Sequence, residues 1–399
     1  MGDSAPGGDT KYHSLPLGLL AAAGFLSISA ARVIDPLLTI IAHDFRTTVS
    51  AVSVLIAAFT MPYALSQLAL GPIGDRYGKL RVMLASLAGY ALFNASCALA
   101  SSLPILTLLR IGAGASSAGL IPICIAYIGD AVPYDQRALT LSRFASGIVV
   151  AQILAGPLGG AFGEFIGWRR VFVLLGALGL GTAALLAAKL RHLPDRSGQK
   201  AFNLDTYRAL LARPDARQLL AATAAEGALT GGLFPFVAPY LRGAFQLPYA
   251  VIGLILACFG LGTLLYTRLT KRLLVQFDEA SMVLAGALAT AAILAAMMAS
   301  RTWLAFIPAQ VGLGFSYFTL HTVMQSRASE LLPSARSTAV SLFVFMLFLG
   351  QGGGALLAGG AIGIWGYRPT IWVAAALLAS LGGLLWGHMR RFPSLVQPA

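Results

Sequence analysis

The chain has 399 residues, of which 57% are apolar and only 11% charged, with 44 glycines and a mean hydropathy of +0.78. A soluble globule of that length needs more charge on its outside, so the composition points to an all-α protein crossing a membrane many times. The formal charge of +13 fits loops lying on anionic headgroups and calls for no nucleic-acid partner.

Residues 1–14 are polar and read as a cytoplasmic tail, because they lack the charged, apolar and small-residue order of a signal peptide. Runs of about twenty apolar residues, the length that crosses the hydrocarbon core, then follow. They lie near 15–42, 50–73, 81–101, 104–127, 138–162, 168–189, 218–241, 249–268, 280–300, 303–326, 337–361 and 367–388. The spacing divides the chain into a six-helix half over 15–190, a cytoplasmic linker over 191–217, a second six-helix half over 218–388 and a cytoplasmic tail over 389–399. Within the linker, Asn203 to Ala212 can form a short amphipathic helix with Leu204, Tyr207, Leu210 and Leu211 toward lipid, or can simply be solvated. With both termini inside, 20 of the 28 Lys and Arg fall on inner loops, tails and inner span ends, and 6 on the outer side. Arg32 and Arg110 lie deeper. The positive-inside rule therefore orients the chain. Cys97, Cys124 and Cys258 all sit in apolar runs without metal-ligand spacing, so they read as packing residues.

The halves repeat. At an offset of 199 residues Arg137 pairs with Arg336, Ser142 with Ser341, Gly160 with Gly359, Gly167 with Gly366 and Arg169 with Arg368. A parallel repeat of six spans puts a binding site between the halves, near the midplane.

Between the second and third runs stands Gly71-Pro-Ile-Gly-Asp75-Arg76-Tyr-Gly78-Lys79-Leu-Arg81, with four charges and three glycines in eleven positions. This G-x-x-x-D-R-x-G-K pattern resembles the loop that the major facilitator superfamily places between its second and third helices, where family members use it as a gate latch. The resemblance assigns gating to Gly71, Asp75, Arg76, Gly78 and Lys79. Leu80 stands where the pattern usually has a second base. The counterpart near Gly262 to Arg272 keeps Arg268, Lys271 and Arg272 without a clear aspartate, which implies a one-sided latch.

The fourth span contains Leu106-Thr-Leu-Leu-Arg110-Ile-Gly-Ala-Gly114, similar to the family's R-x-x-q-G motif, with Ala113 in place of the glutamine. An arginine about six residues into the run either snorkels to the outer surface or turns inward and is paired; the family ties it to proton transfer. In the fifth span, Gly156-Pro157-Leu-Gly159-Gly160 resembles the antiporter motif G-x-x-x-G-P-x-x-G-G, with Gln152 replacing the first glycine and Ala161 the last. Proline and glycines alone describe a kinked, tightly packed helix; the resemblance adds exchange and efflux.

Two carboxylates lie deep in the apolar runs, Asp35 and Glu226. Proton coupling needs a buried carboxyl that loads and unloads as access alternates. Asp35 follows Arg32 by one helical turn, and Asp35-Pro36 resembles the first-span motif of the twelve-span drug:proton antiporter group. Asp35 is therefore the first coupling residue, with Arg32, Arg110 and Glu226 as further candidates. A static Arg32–Asp35 ion pair, and an interfacial or substrate-contacting Glu226, are the plainer readings. Gln67, Phe234, Gln310, Tyr317, His321, Gln325 and Gln351 can line the cavity, although each such residue is more often packing. Walker loops, H-E-x-x-H and G-x-S-x-G are absent, which disfavours ATP-driven transport and hydrolysis.

The expected protein is thus no enzyme and uses no cofactor or metal. It is a monomeric secondary transporter of the plasma membrane that exports small organic or amphipathic compounds in exchange for protons. Proton-coupled uptake, a metabolite permease and a non-transporting receptor are the alternatives.

Overall fold

The structure, a computed structural model, describes residues 16–190, 204–332 and 336–391; the side chains of Gly71, Pro72, Tyr134, Asp135, Ala138, Leu190, Leu204 and Ser337 are not described. The expected tail over 1–14, the linker from 191 to 203 and the end of the chain from 392 lie outside these residues.

Among the described residues, 12 helices are long and apolar enough to cross a membrane. They are α1 (Leu17–Asp44), α2 (Val49–Leu70), α3 (Lys79–Cys97), α4 (Leu103–Ala131), α5 (Leu139–Ile166), α6 (Trp168–Lys189), α7 (Pro214–Phe245), α8 (Tyr249–Gln276), α9 (Glu279–Ala299), α10 (Trp303–Glu330), α11 (Thr338–Trp365) and α12 (Tyr367–Arg391). Large apolar side chains such as Leu108, Leu357 and Leu384 stand on the outside, where lipid suits them and water does not. Buried apolar residues form two clusters. One runs from Leu20 to Leu186 and takes Ala355 from the other half; the second runs from Leu210 to Met389.

The 199-residue repeat extends to contacts. In the first half α1 packs on α5, α2 on α4 and α3 on α6; in the second, α7 packs on α11, α8 on α10 and α9 on α12. A Cβ on Gly114 would fall on the Phe59 carbonyl, and one on Gly314 on the Phe259 carbonyl. Each pair of helices therefore approaches closely through a glycine at the corresponding place.

The same repeat breaks the first span of each half. Pro36 and Pro235 lack an N–H, so α1 and α7 each tighten to a 3-10 turn, over Asp35–Leu37 and Phe234–Phe236. In α7 a π-turn over Gly227–Gly231 precedes the break.

Two seams join the halves, α2 on α11 and α5 on α8. Ser50 Oγ donates to the Gly359 carbonyl at 2.6 Å, and the rings of Tyr63 and Phe348 lie 4.6 Å apart by centroid. Glu164 accepts from the Tyr249 amide at 2.7 Å, an anion at the start of α8. These contacts lie in the part of the bundle away from the Gly78 turn.

The short helix expected in the linker is present as Leu204–Ala212, with a different facing. Leu210 is buried in the second-half cluster and Tyr207 packs against it, so their apolar faces meet protein rather than lipid. Burial pushes the Tyr207 hydroxyl above the usual tyrosine range. Near the same end, Asp278 caps α9, accepting from the Ser281 hydroxyl at 2.6 Å and its amide at 3.1 Å, which holds its carboxyl below the usual carboxylate range.

Candidate functional site

Asp35 opens the break in α1 and is 2% exposed. The break frees backbone groups and turns its carboxylate toward Arg32, whose guanidinium stands 3.8 Å away. Arg32 is the more open partner, with 24% of its side chain exposed, and it lies over the Phe234 ring at 4.8 Å. A space of about 300 Å³ adjoins them, lined also by Gln152, Gly156, Leu256 and Phe259. Gln152, which departs from the antiporter pattern, is therefore beside the ion pair.

Arg110 does not snorkel. It is fully buried, donates to the Ala30 carbonyl at 2.9 Å and lies over the Phe59 ring at 4.4 Å. Its guanidinium thus holds α1 one to two turns before Asp35 and puts a cation in the same half. That position follows from α4, which carries Arg110 inward between α1 and α2 instead of along the lipid face.

A larger space, about 420 Å³, lies among α7, α8, α9 and α10 of the second half, with Arg32 of the first half at its edge. Among the described residues Arg32 is its one charged lining residue; Phe234, Val237, Phe259, Leu313 and Tyr317 make an apolar and aromatic wall, and Thr230 and Thr290 add hydroxyls. Of the residues expected in the cavity, Phe234 and Tyr317 line it. Gln351 packs beside Gly231, a lining residue. Gln310 is fully buried away from the lining, and Gln67 and Gln325 are half-buried elsewhere on α2 and α10. His321 is drawn off the wall by Glu226. Its Nδ1 stands 2.9 Å from Oε1 of the fully buried Glu226, and Tyr317 stacks on its ring.

The glycines of the fifth span form the seam. A Cβ on Gly156 would lie 2.8 Å from the Gly253 carbonyl, one on Gly160 would fall on the Tyr249 carbonyl, and one on Gly159 on that of Val33. Pro157 lies inside this helix without breaking it. The motif's glycines therefore bring α5 against α8 of the other half and against α1.

In the loop motif, Gly78 has φ +99°, a conformation that glycine takes without strain as α2 turns into α3. Lys79 is the hub: its Nζ lies 3.0 Å from Asp75 and 2.5 Å from Asp130. Arg76 is exposed and lies over Tyr77; Gly71 is helical, and its surroundings are not described. Asp130, at the end of α4, escaped the sequence reading, because its partner Lys79 is 51 positions away. Arg137 donates to the Gly129 carbonyl next to it at 2.6 Å. The second half has an acid–base tie elsewhere, with Arg327 Nε 2.7 Å from Glu279 at the start of α9. Glu164 and Glu279 were likewise not singled out, because nothing local distinguishes an acid at a helix end that has a distant partner.

The family model described as the Major Facilitator Superfamily matches residues 20–225 and 219–398. A probable sugar efflux transporter of Pasteurella multocida is 26% identical over 372 residues, covering 92% of this chain and 90% of that one. A probable transporter of Streptomyces coelicolor is 29% identical over 385 residues, 94% of this chain and 87% of the other. Among solved structures, a bacterial homologue of the human lysosomal transporter Spinster, inward-facing and unoccupied, superposes with a TM-score of 0.83 at 20% identity, covering 98% of this chain and 100% of that one. A D-xylose–proton symporter superposes with a TM-score of 0.76 at 14% identity, covering 93% and 96%. At those identities the two structures speak for the fold alone.

Proposed function

We propose that this chain, which belongs to the Major Facilitator Superfamily, is a secondary active exporter that exchanges small organic or amphipathic compounds for protons. It is a multi-pass membrane transporter and not an enzyme. The observation that carries the exchange reading is Asp35, a carboxylate 2% exposed at the break of α1, beside a cavity and 3.8 Å from Arg32. A carboxylate so placed is held there only with a cation or a proton.

The mechanism follows from these residues. With its proton gone, Asp35 pairs with Arg32, and Arg110 supports the negative charge from behind α1. With its proton present, Arg32 is released toward the cavity and Phe234. Substrate and proton thus compete for the state of one ion pair, which is the requirement for exchange. The apolar wall favours amphipathic cargo over highly hydroxylated cargo, whose groups would lose hydrogen bonds there. The seams at Ser50–Gly359 and Glu164–Tyr249 support a state closed toward the outside. The efflux name borne by the Pasteurella relative agrees with the export direction.

We also propose that the halves are 15–190 and 218–388, that both termini are cytoplasmic in the plasma membrane, that the protein works as a monomer, and that the Asp75–Lys79–Asp130 cluster acts as the gate latch. A compound screen in inverted vesicles tests the exchange. Addition of a transported compound dissipates a preset proton gradient; uptake coupled in the opposite sense is shown if the compound instead leaves with protons.

A further inference from the structure

Glu226 is an acid that the exchange at Asp35 does not use. It is fully buried in α7, one of its oxygens lies 2.9 Å from Nδ1 of His321, and the other is buried without a hydrogen-bond partner. An ionised carboxylate with one oxygen paired and the other bare is costly there, which favours taking up a proton. The pair borders the central cavity. His321 keeps 9% exposure, Tyr317 of the cavity wall stacks on its ring at 5.3 Å and 16°, and the hydroxyl of Thr230, another wall residue, donates to the Glu226 backbone carbonyl at 2.6 Å. Each partner is therefore the neighbour, on its own helix, of a wall residue.

Among the described residues no stronger charge competes for the site. On α10 the groups facing it are His321 and Tyr317; Arg327 lies six residues further on, about 9 Å along the helix, and is engaged by Glu279. α11 carries no ionisable side chain between Arg336 and Trp365, and the Tyr367, Arg368, His388, Arg390 and Arg391 of α12 sit at its ends. Asp205, Tyr207 and Arg208 of the linker helix and Asp215 and Arg217 of α7 lie two or more turns before Glu226. Across the cavity Arg32 is the charge that faces Tyr317.

We infer that Glu226 and His321 form a second proton-binding site, in the half opposite Asp35, which takes up and releases one proton through the cavity. A proton arriving at Nε2 of neutral His321 lets the Nδ1 proton pass to Oε1 of Glu226, leaving a neutral imidazole and a carboxylic acid. The pair gains one proton, and release reverses the two transfers. Each half then contributes one acid, and the transporter can load two protons for each cycle. That role in transport rests on the exchange reading above; the protonation itself does not.

The test is pH-difference infrared spectroscopy on the purified full-length protein in lipid, with protons as the only ligand, from about pH 5 to about pH 8. The wild type is expected to show a carbonyl stretch of a protonated carboxyl that appears with pH. Glu226→Gln removes it, and Asp35→Asn retains it. His321→Phe, which keeps the stack on Tyr317 and loses the ring nitrogens, moves its midpoint by about one pH unit or more. The second site is overturned if Glu226→Gln, folded by circular dichroism, leaves the carboxyl bands unchanged, or if His321→Phe leaves the midpoint in place, which applies even where Glu226→Gln does not fold. A spectrum in which only Asp35→Asn removes a band overturns the second site and spares the exchange reading. Failure of the exchange reading is read separately, as wild-type vesicles without substrate-driven proton movement.

Discussion

Asp35 and Phe234 occupy the same place in the two halves, 199 residues apart, each opening the proline-containing 3-10 turn that breaks the first span of its half. The two turns are in contact. At one turn the repeat has an acid and at the other an aromatic ring, and Arg32 lies between them, 3.8 Å from the carboxylate and 4.8 Å from the ring centroid. The asymmetry within a symmetric frame gives the cavity one proton-accepting side and one apolar side. Phe234→Ala is expected to lower affinity for amphipathic cargo several-fold while leaving proton coupling in place, measured as substrate competition in vesicles.

The seam between α5 and α8 sets a packing prediction. Gly160→Ala puts a methyl on the Tyr249 carbonyl and is expected to destabilise the protein by about 1–3 kcal/mol. Gly181→Ala, where a Cβ meets nothing within 4 Å, is expected to be neutral or to stabilise by up to about 1 kcal/mol. Thermal unfolding of both variants in one detergent reads the difference; equal midpoints would mean that the seam yields.

The latch prediction turns on Lys79. Lys79→Met removes both ion pairs of the cluster, and because the carboxylates are partly exposed the stability change should stay under about 1 kcal/mol. Turnover should nevertheless fall, and Asp75→Asn and Asp130→Asn should each slow it at near-normal expression. Turnover equal to the wild type in all three would reduce the cluster to a topology signal.

Orientation is checked with tags at both termini. Impermeant label added to intact cells should reach neither tag, and labelling of either one would overturn the assignment.

Much of the frame was legible because it is written in periodic terms. Twelve hydropathy runs and a 199-residue repeat are local or additive signals. What was not legible depends on which helices touch. Arg110 by its distance from the span end could snorkel or turn inward, and only the packing of α4 between α1 and α2 decides. Glu226 and His321 were each visible as single residues, but 95 positions separate them and no spacing rule joins α7 to α10. Leu210 and Tyr207 have the pattern of a lipid-facing helix, and the second-half core covers them instead, since an apolar face fits either environment.

The central claim is that Asp35 carries the exchanged proton, and it is tested most directly by proton flux in inverted vesicles bearing Asp35→Asn. The amide holds the side chain in a neutral form, so substrate added to these vesicles should cause no proton movement while binding survives, and Asp35→Glu should keep part of the coupling. Arg110→Ala should weaken coupling as well, by removing the buried cation behind α1. Substrate-dependent proton movement that persists at wild-type size in Asp35→Asn vesicles would contradict the account.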